Sequence, residues 1–482
     1  MTDESFWPVR IKDDVTVCVS PTIHQMTSYV LLEQEDWFED EMDFVRALVT
    51  PDMNAFDIGA NHGVYGLTIA RRLATGRVWA FEPTIAPGAM LSKSVTLNGL
   101  ADRITWVHAG LSDRDGEADI GISGDSETNS LQGAGGRTER ITLHSLDAFV
   151  ARESIEAEID FVKLDAEGEE IRILAGGRDF FTRQSPLIMF ELRHGNQVNH
   201  GLIEMVRSSG YDIYRLLPGL DILVEYSPLF QDGFLLNLFA CKPDRAAKLA
   251  ARGLLATRED IAAHTSEPPA ASWQERLFTM PFAAPHADAW QAHAARLDPD
   301  YDLALSACLT AQDRSLPPAA RVALAREALA RVTDIADSGK GDIALWLLRL
   351  NLTHLLGERT LSLGIAQKLA GLPEATFATL KPPYLPPAAR FYHRAACATH
   401  AGVMVAIQEF IQYRQGFSSY FSNAPLNDLA ALSARPDHAL EIDRRLVLSA
   451  RRRGMPVNIP DSHDLFRAEH SANSAIWRGI TR

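Results

Sequence analysis

No apolar run in the 482 residues approaches the roughly 20 that a helix needs to cross a bilayer, so no membrane span is expected. Cysteine is sparse: Cys18, Cys241, Cys308 and Cys397 lie far apart without a C-x-x-C pair. That spacing argues against a disulfide framework and against a cysteine zinc site, and it predicts buried free thiols. Positive charge is in deficit, with 47 Lys and Arg against 62 Asp and Glu for a net charge of −15. A general nucleic-acid binder needs a basic face, so that class is disfavoured. Arg451 to Arg453, the one basic triple, reads as a solvated helix end. The opening residues, MTDESFWPVRIKDD, lack the charged-then-apolar order of a secretory signal, and a cytoplasmic location is expected. No His, Asp and Glu group has the spacing of a metal site, so no metal is expected.

The rest of the composition is that of a globular chain, 46 % hydrophobic and 23 % charged, and its length predicts two or three domains. Up to about residue 243, strand-like runs alternate with helical stretches. The strands are Ala55 to Ile58, VWAFE ending at Glu82, Ile104 to Ala109, Ile159 to Leu164, Pro186 to Leu192, Tyr211 to Leu217 and Phe234 to Cys241. Gly116 to Ser123 and Arg140 to Leu146 read as a hairpin, and Glu169 to Phe181 and Gly201 to Ser209 as helices. The alternation predicts an α/β domain over residues 1–245, a mostly parallel seven-stranded sheet whose last two strands form an antiparallel pair. Residues 246–285 are proline-bearing and read as a linker. Residues 286–482 read as a mainly α-helical domain, with helices at Arg321 to Ile335, Asp342 to Leu356, Thr360 to Ala370, Pro387 to His400 and Val403 to Tyr413. These suggest TPR-like helix pairs without a firm period, a surface open to a protein partner or to self-association.

The chemistry is concentrated in AFDIGANHGVYGLTIARRLATGRVWAFEP, from Ala55 to Pro83, a strand, glycine turn, helix and second strand. Such a turn brings backbone close to a ligand at the carboxyl edge of the sheet, and glycine removes the Cβ that would block it. The glycines fall at 59, 63 and 66, not in the G-x-G-x-x-G spacing of a dinucleotide site. Asp57 and Glu82 end the two strands, and a carboxylate at Asp57 would repel a diphosphate. S-adenosylmethionine carries an ammonium and a sulfonium and no phosphate, so an acidic rim suits it, with Glu82 placed to accept bonds from a ribose diol.

With FDIGANHGVYGL and VWAFEP in place, LNGL followed by AGLSDRDG, then DFVKLDAEGEE and PLIMFEL, come in an order that resembles the FkbM family of S-adenosylmethionine-dependent methyltransferases over about residues 20–245. The resemblance implies a Rossmann-like class I methyltransferase sheet and methyl transfer to an oxygen, often a hydroxyl of a sugar or polyketide. It does not reach the helical half.

On this likeness Asp57, Gly59, Asn61 and Gly63 would hold the methionine portion and Glu82 the ribose. Asp113, in LSD, stands where such folds contact the adenine amine, or is a plain turn aspartate. Glu39, in WFEDEMDFV, would bind the ammonium, with Glu41 second, although acids at a helix start are also dipole partners. A hydroxyl acceptor has to lose a proton, and Asp165, Glu167 and His194 are the candidate bases. Glu167 has a structural alternative, fixing its loop through backbone N–H groups, and His194 has one as a surface histidine in a turn. His62 is not expected to be catalytic, Tyr65 packs over the methionine chain or is core, and Glu191 shapes the acceptor pocket. Asn98 reads as structural. The loops Gly124 to Gly136 and Leu217 to Gln231 would close over the acceptor.

The expected function is therefore an S-adenosylmethionine-dependent O-methyltransferase acting on a hydroxyl of a carbohydrate or glycan-linked metabolite. Two readings stay open beside it: a nicotinamide-dependent oxidoreductase, disfavoured by the glycine spacing and Asp57, and a cofactor-binding scaffold joined to a helical protein-interaction module.

Overall fold

AFDI and FVKL, the strands from Ala55–Ile58 and Phe161–Leu164, are buried at every position, as expected of central parallel strands covered on both faces. The computed structural model describes residues 5–122, 137–194, 197–230, 232–264, 272–381, 383–422, 425–457 and 459–481. The chain divides into two units, one of residues 1–215, 235–248 and 447–482, the other of residues 216–234 and 249–446.

The main sheet of the first unit holds β1 (Ala55–Ile58), β2 (Val78–Phe81), β3 (Ile104–Val107), β4 (Phe161–Leu164), β5 (Leu187–Glu191), β6 (Asp212–Leu217) and β7 (Asn237–Cys241). Their order is β6-β7-β5-β4-β1-β2-β3, and β1 to β5 pair in parallel. β7 runs antiparallel to both β5 and β6, as the missing helix between the last two strands requires. The side chain of Phe56 anchors the core: it is fully buried, stacks on Phe180 at 5.6 Å and meets Trp79 and Phe81 edge-on.

The sheet is flanked by the hairpin Gly116–Ile122 with Arg137–Ser145, and by a second, unanticipated hairpin, Trp7–Ile11 with Val15–Val19. Asn98 ties the latter down by accepting from the Thr16 amide and donating to the Thr16 carbonyl. The expected helix from Glu169 to Phe181 is two, Glu170–Gly176 and Arg178–Arg183. A Cβ on Gly176 would lie 2.2 Å from the Ser112 carbonyl oxygen, so glycine is required where the helix Glu170–Gly176 meets the short strand Gly110–Ser112.

Residues 447–482, expected in the helical domain, belong to the first unit. Asn473 accepts from the Arg10 amide and donates to the Arg10 carbonyl, Trp477 is fully buried, and Tyr29 shares a hydrogen bond with Ser449. The Arg452 guanidinium lies 5.7 Å from the Tyr29 ring, so the arginine triple is not simply a solvated helix end.

The second unit contains two strands beyond the seven expected, Ile222–Glu225 and Leu255–Ala256, paired in parallel. Its helices Pro299–Ala311, Pro318–Asp337, Ile343–Leu355 and Arg359–Ala370 pack each on the next, and His400–Arg414 packs on Arg359–Ala370. The segment expected as a linker is instead structured, with helices Pro243–Ala251, Arg258–Ala263 and Trp273–Leu277. Trp273, Leu277 and Phe282 are fully buried in the helical core, a role that the flanking prolines conceal. Pro387 to His400 is not a helix but holds two short 3₁₀ turns, Ala389–Phe391 and Ala395–Ala398. Pro383, Pro386 and Pro387 lack amide donors, and buried Asn351 holds the segment through the Pro386 carbonyl and the Tyr392 hydroxyl. Among the described residues no helix is long and apolar enough to cross a membrane.

Candidate functional site

Strand order reverses between β1 and β4, which leaves a crevice at their carboxyl ends where open α/β sheets bind ligands. The residues that follow these strands line it: Gly59, Asn61 and His62 after β1, Glu82 and Thr84 after β2, and Asp165 and Glu167 after β4. Trp37, Glu39, Asp57, Tyr65 and Lys163 complete the walls. The parallel register pairs Asp57 with Lys163, and this puts an acid and an ammonium side by side on one face.

Glycine has a different task here from the one expected. A Cβ on Gly59 would lie 1.7 Å from the Asp165 carbonyl oxygen, and one on Gly63 would lie 2.2 Å from the Leu91 side chain. Both have positive φ, +78° and +80°. The space vacated by these two Cβ atoms is thus taken by the protein itself, closing the turn after β1 onto the β4 loop and onto the helix Ile85–Asn98 that follows β2.

Asp57 is 1 % exposed and its Oδ2 accepts from the Gly66 amide at 2.8 Å, which fixes the first turn of the helix Val64–Ala70. Its Oδ1 is buried without a hydrogen-bond partner among the described residues. Glu82 accepts from the Asn61 amide with Oε2 at 3.0 Å and from the Thr84 amide with Oε1 at 2.8 Å, and the Thr84 hydroxyl also donates to Oε1. Glu39 accepts from the Tyr65 hydroxyl at 2.5 Å and from the side-chain Nδ2 of Asn237 at 3.2 Å. Asn61 itself takes the left-handed conformation, φ +50°, which its short polar side chain tolerates.

On the other wall, the Lys163 ammonium lies 2.8 Å from Asp165 Oδ2 and 5.2 Å from the Tyr65 ring centroid. The turn after β4 is held by Glu170, whose Oε1 accepts from the Ala166 and Gly168 amides. Glu167, between these two amides, takes a left-handed φ of +48°.

Carboxylates dominate the site. Burial raises Asp57, Glu82 and Glu39 above the usual carboxyl range. Burial and the neighbouring acids Glu39 and Asp40 push Glu41 up to about 8. Burial, Asp165 and Glu167 push Glu191 to about 9. Burial alone would depress Lys163, but Asp165, Asp57 and Glu39 hold it above the usual lysine value, a firmly charged ammonium. Burial lowers His62 to about 4, and its Nδ1 has no partner among the described residues.

Not every expected residue meets at the crevice. Asp113 lies outside the lining, with its side chain 44 % exposed and 4.0 Å from Arg114. The hairpin Gly116–Ile122 contributes Ile120 to the wall instead. His194 sits in a two-residue ladder with Gln197, and its side chain lies outside the described residues. So do the whole of the Gly124 to Gly136 loop and Gln231. Sequence reasoning missed Trp37, Thr84, Lys163 and Glu170. The last two stand within DFVKLDAEGEE, so their sequence signal was the motif itself, without a role attached.

Residues 57–213 match the family model of the methyltransferase FkbM domain. No curated protein matches the chain. Among solved structures the chain is similar to the methyltransferase FkbM from Methylobacillus flagellatus KT, 17 % identical over 40 % of this chain and 47 % of that one, with a TM-score of 0.27. It is also similar to a putative rRNA-methylase from Clostridium thermocellum, 12 % identical over 43 % of this chain and 95 % of that one, TM-score 0.27. A third is an O-methyltransferase from Bacillus cereus in complex with SAH, 15 % identical over 45 % of this chain and 83 % of that one, TM-score 0.23. The chain spans just under half the length of the FkbM structure, and at these TM-scores the weight rests on the family match. With its motifs in order and their residues gathered at one crevice, the stretch 57–213 carries the chain's match to the methyltransferase FkbM domain.

Proposed function

We propose that the protein transfers a methyl group from S-adenosylmethionine to a hydroxyl oxygen of a carbohydrate or glycan-linked metabolite. The observation that carries this reading is the charge of the crevice: among the described residues Glu39, Asp57, Glu82, Asp165 and Glu167 line it with one ammonium, Lys163. Such a lining favours a cationic ligand and opposes a diphosphate. Two buried polar atoms without a partner among the described residues, Asp57 Oδ1 and His62 Nδ1, belong to the same lining and fit a ligand rich in N–H and O–H groups.

On this reading Glu39, oriented by Tyr65 and Asn237, takes the ammonium, and Glu82, oriented by Asn61 and Thr84, takes the ribose hydroxyls. When bound, S-adenosylmethionine supplies an electrophilic methyl group. The chain's part is to align the acceptor and exclude water, and Trp37 and Tyr65 provide rigid walls for that. Asp165, its Oδ2 fixed by Lys163, is the group assigned to the acceptor's proton. Glu191 keeps its own proton up to about pH 9 and is not the base. Four buried free cysteines support a reducing, cytoplasmic setting.

Calorimetry with S-adenosylmethionine and with NAD separates this reading from an oxidoreductase: heat with the first alone is expected. Release of S-adenosylhomocysteine in the presence of a glycan extract tests transfer, and binding without turnover would leave a scaffold.

A further inference from the structure

The second unit contains a cavity of about 270 Å³ remote in sequence from the methyltransferase motifs. Arg296, Lys340 and Lys381 line it, with His293 beside them. None of these three cations has an ion-pair partner among the described residues, although the chain carries 62 acids and a net charge of −15. Cations left unpaired around one concavity in so acidic a protein are poorly explained by solubility. Two carboxylates share the lining, Asp298 and Asp342. Both are engaged as helix caps: Asp298 accepts from the Asp300 amide at 2.9 Å, and Asp342 from the Leu345 amide at 3.0 Å. All three cations are solvent-exposed, and three of them against two such carboxylates leave the lining positive. Its floor is shaped by Tyr301, whose hydroxyl donates to the Pro383 carbonyl at 2.8 Å and locks the two chain segments together.

We infer that this cavity binds an oxyanion, a phosphoryl or sulfo group, free or carried on a small molecule whose apolar part lies against Tyr301. Arg296 offers a planar fork to two oxygens and the lysines offer point charges, the pairing that such groups use elsewhere. The site is independent of the methyl-transfer reading and stands or falls separately.

The test is calorimetry on the full chain with inorganic phosphate, sulfate and glucose 1-phosphate at matched ionic strength, repeated on the double variant Lys340→Ala, Lys381→Ala. Saturable heat is expected with the native chain, with at least tenfold weaker binding in the double variant and an unchanged melting temperature. Tighter binding of glucose 1-phosphate than of phosphate would identify a carried group, and equal binding a free ion. No saturable heat with any probe, or equal affinity in the double variant, would overturn the site. Should the double variant melt early, the charge-reversed single variant Lys381→Glu decides the same question through the same affinities.

Discussion

Gly59 faces the carbonyl oxygen of Asp165 so closely that a Cβ there would lie 1.7 Å from it. The turn after β1 and the turn after β4 are therefore one construction, and the crevice between them is as wide as this approach permits. Because the obstacle is backbone, no side-chain rotation relieves it. Gly59→Ala is expected to cost about 3 kcal/mol or more, from a strained positive φ together with overpacking. Urea denaturation measures it, and a loss below about 1 kcal/mol would show that the two turns separate easily.

Glu82 accepts three hydrogen bonds, from Asn61 and from the amide and hydroxyl of Thr84, so its removal touches more than a ligand. Glu82→Ala should weaken S-adenosylhomocysteine binding at least tenfold and also lower stability by about 1–3 kcal/mol, since buried donors lose their acceptor. Calorimetry and denaturation read the two effects separately. Unchanged affinity would remove the ribose assignment.

Asp57 and Asp165 flank the same ammonium but should respond differently. Asp57→Asn disturbs the helix start at Gly66 and the compensation of Lys163, and is expected to lower affinity and stability together. Asp165→Asn keeps an oxygen for Lys163 and should spare cofactor affinity while reducing turnover by about a hundredfold or more. Loss of binding in the second variant would recast Asp165 as a cofactor residue.

The Glu191 carboxyl sits at about 9 in the folded chain against an ordinary value of 4.5. Between those values the unfolded chain releases this proton and the folded chain retains it. This group's contribution to stability is therefore full below pH 4.5 and is lost as pH rises through about 9. In Glu191→Gln that loss is absent. The native protein should lose more unfolding free energy than the variant between about pH 5 and pH 9, and parallel stability curves would contradict the burial of the carboxyl.

Much of the first unit was legible in the sequence because its signals are local. AFDI, VWAF and FVKL are short apolar runs next to glycine or acid, and strand ends set by such runs place Asp57, Glu82 and Asp165 at one sheet edge. The antiparallel last strand followed from a missing helix. In the second unit, helices with clear periodicity, such as Ile343–Leu355, were legible for the same reason.

Tertiary structure alone decided the rest. Whether Gly59 makes room for a ligand or for Asp165 depends on two turns separated by about a hundred residues, and no local pattern carries that distance. Lys163 gains its meaning from register, which sets it beside Asp57. Residues 447–482 join the first unit because Asn473 finds the Arg10 backbone and Trp477 a core, and Trp273 turns an apparent linker into packed interior. Propensity and periodicity are properties of neighbours along the chain, whereas burial, charge compensation and close approach are properties of neighbours in space.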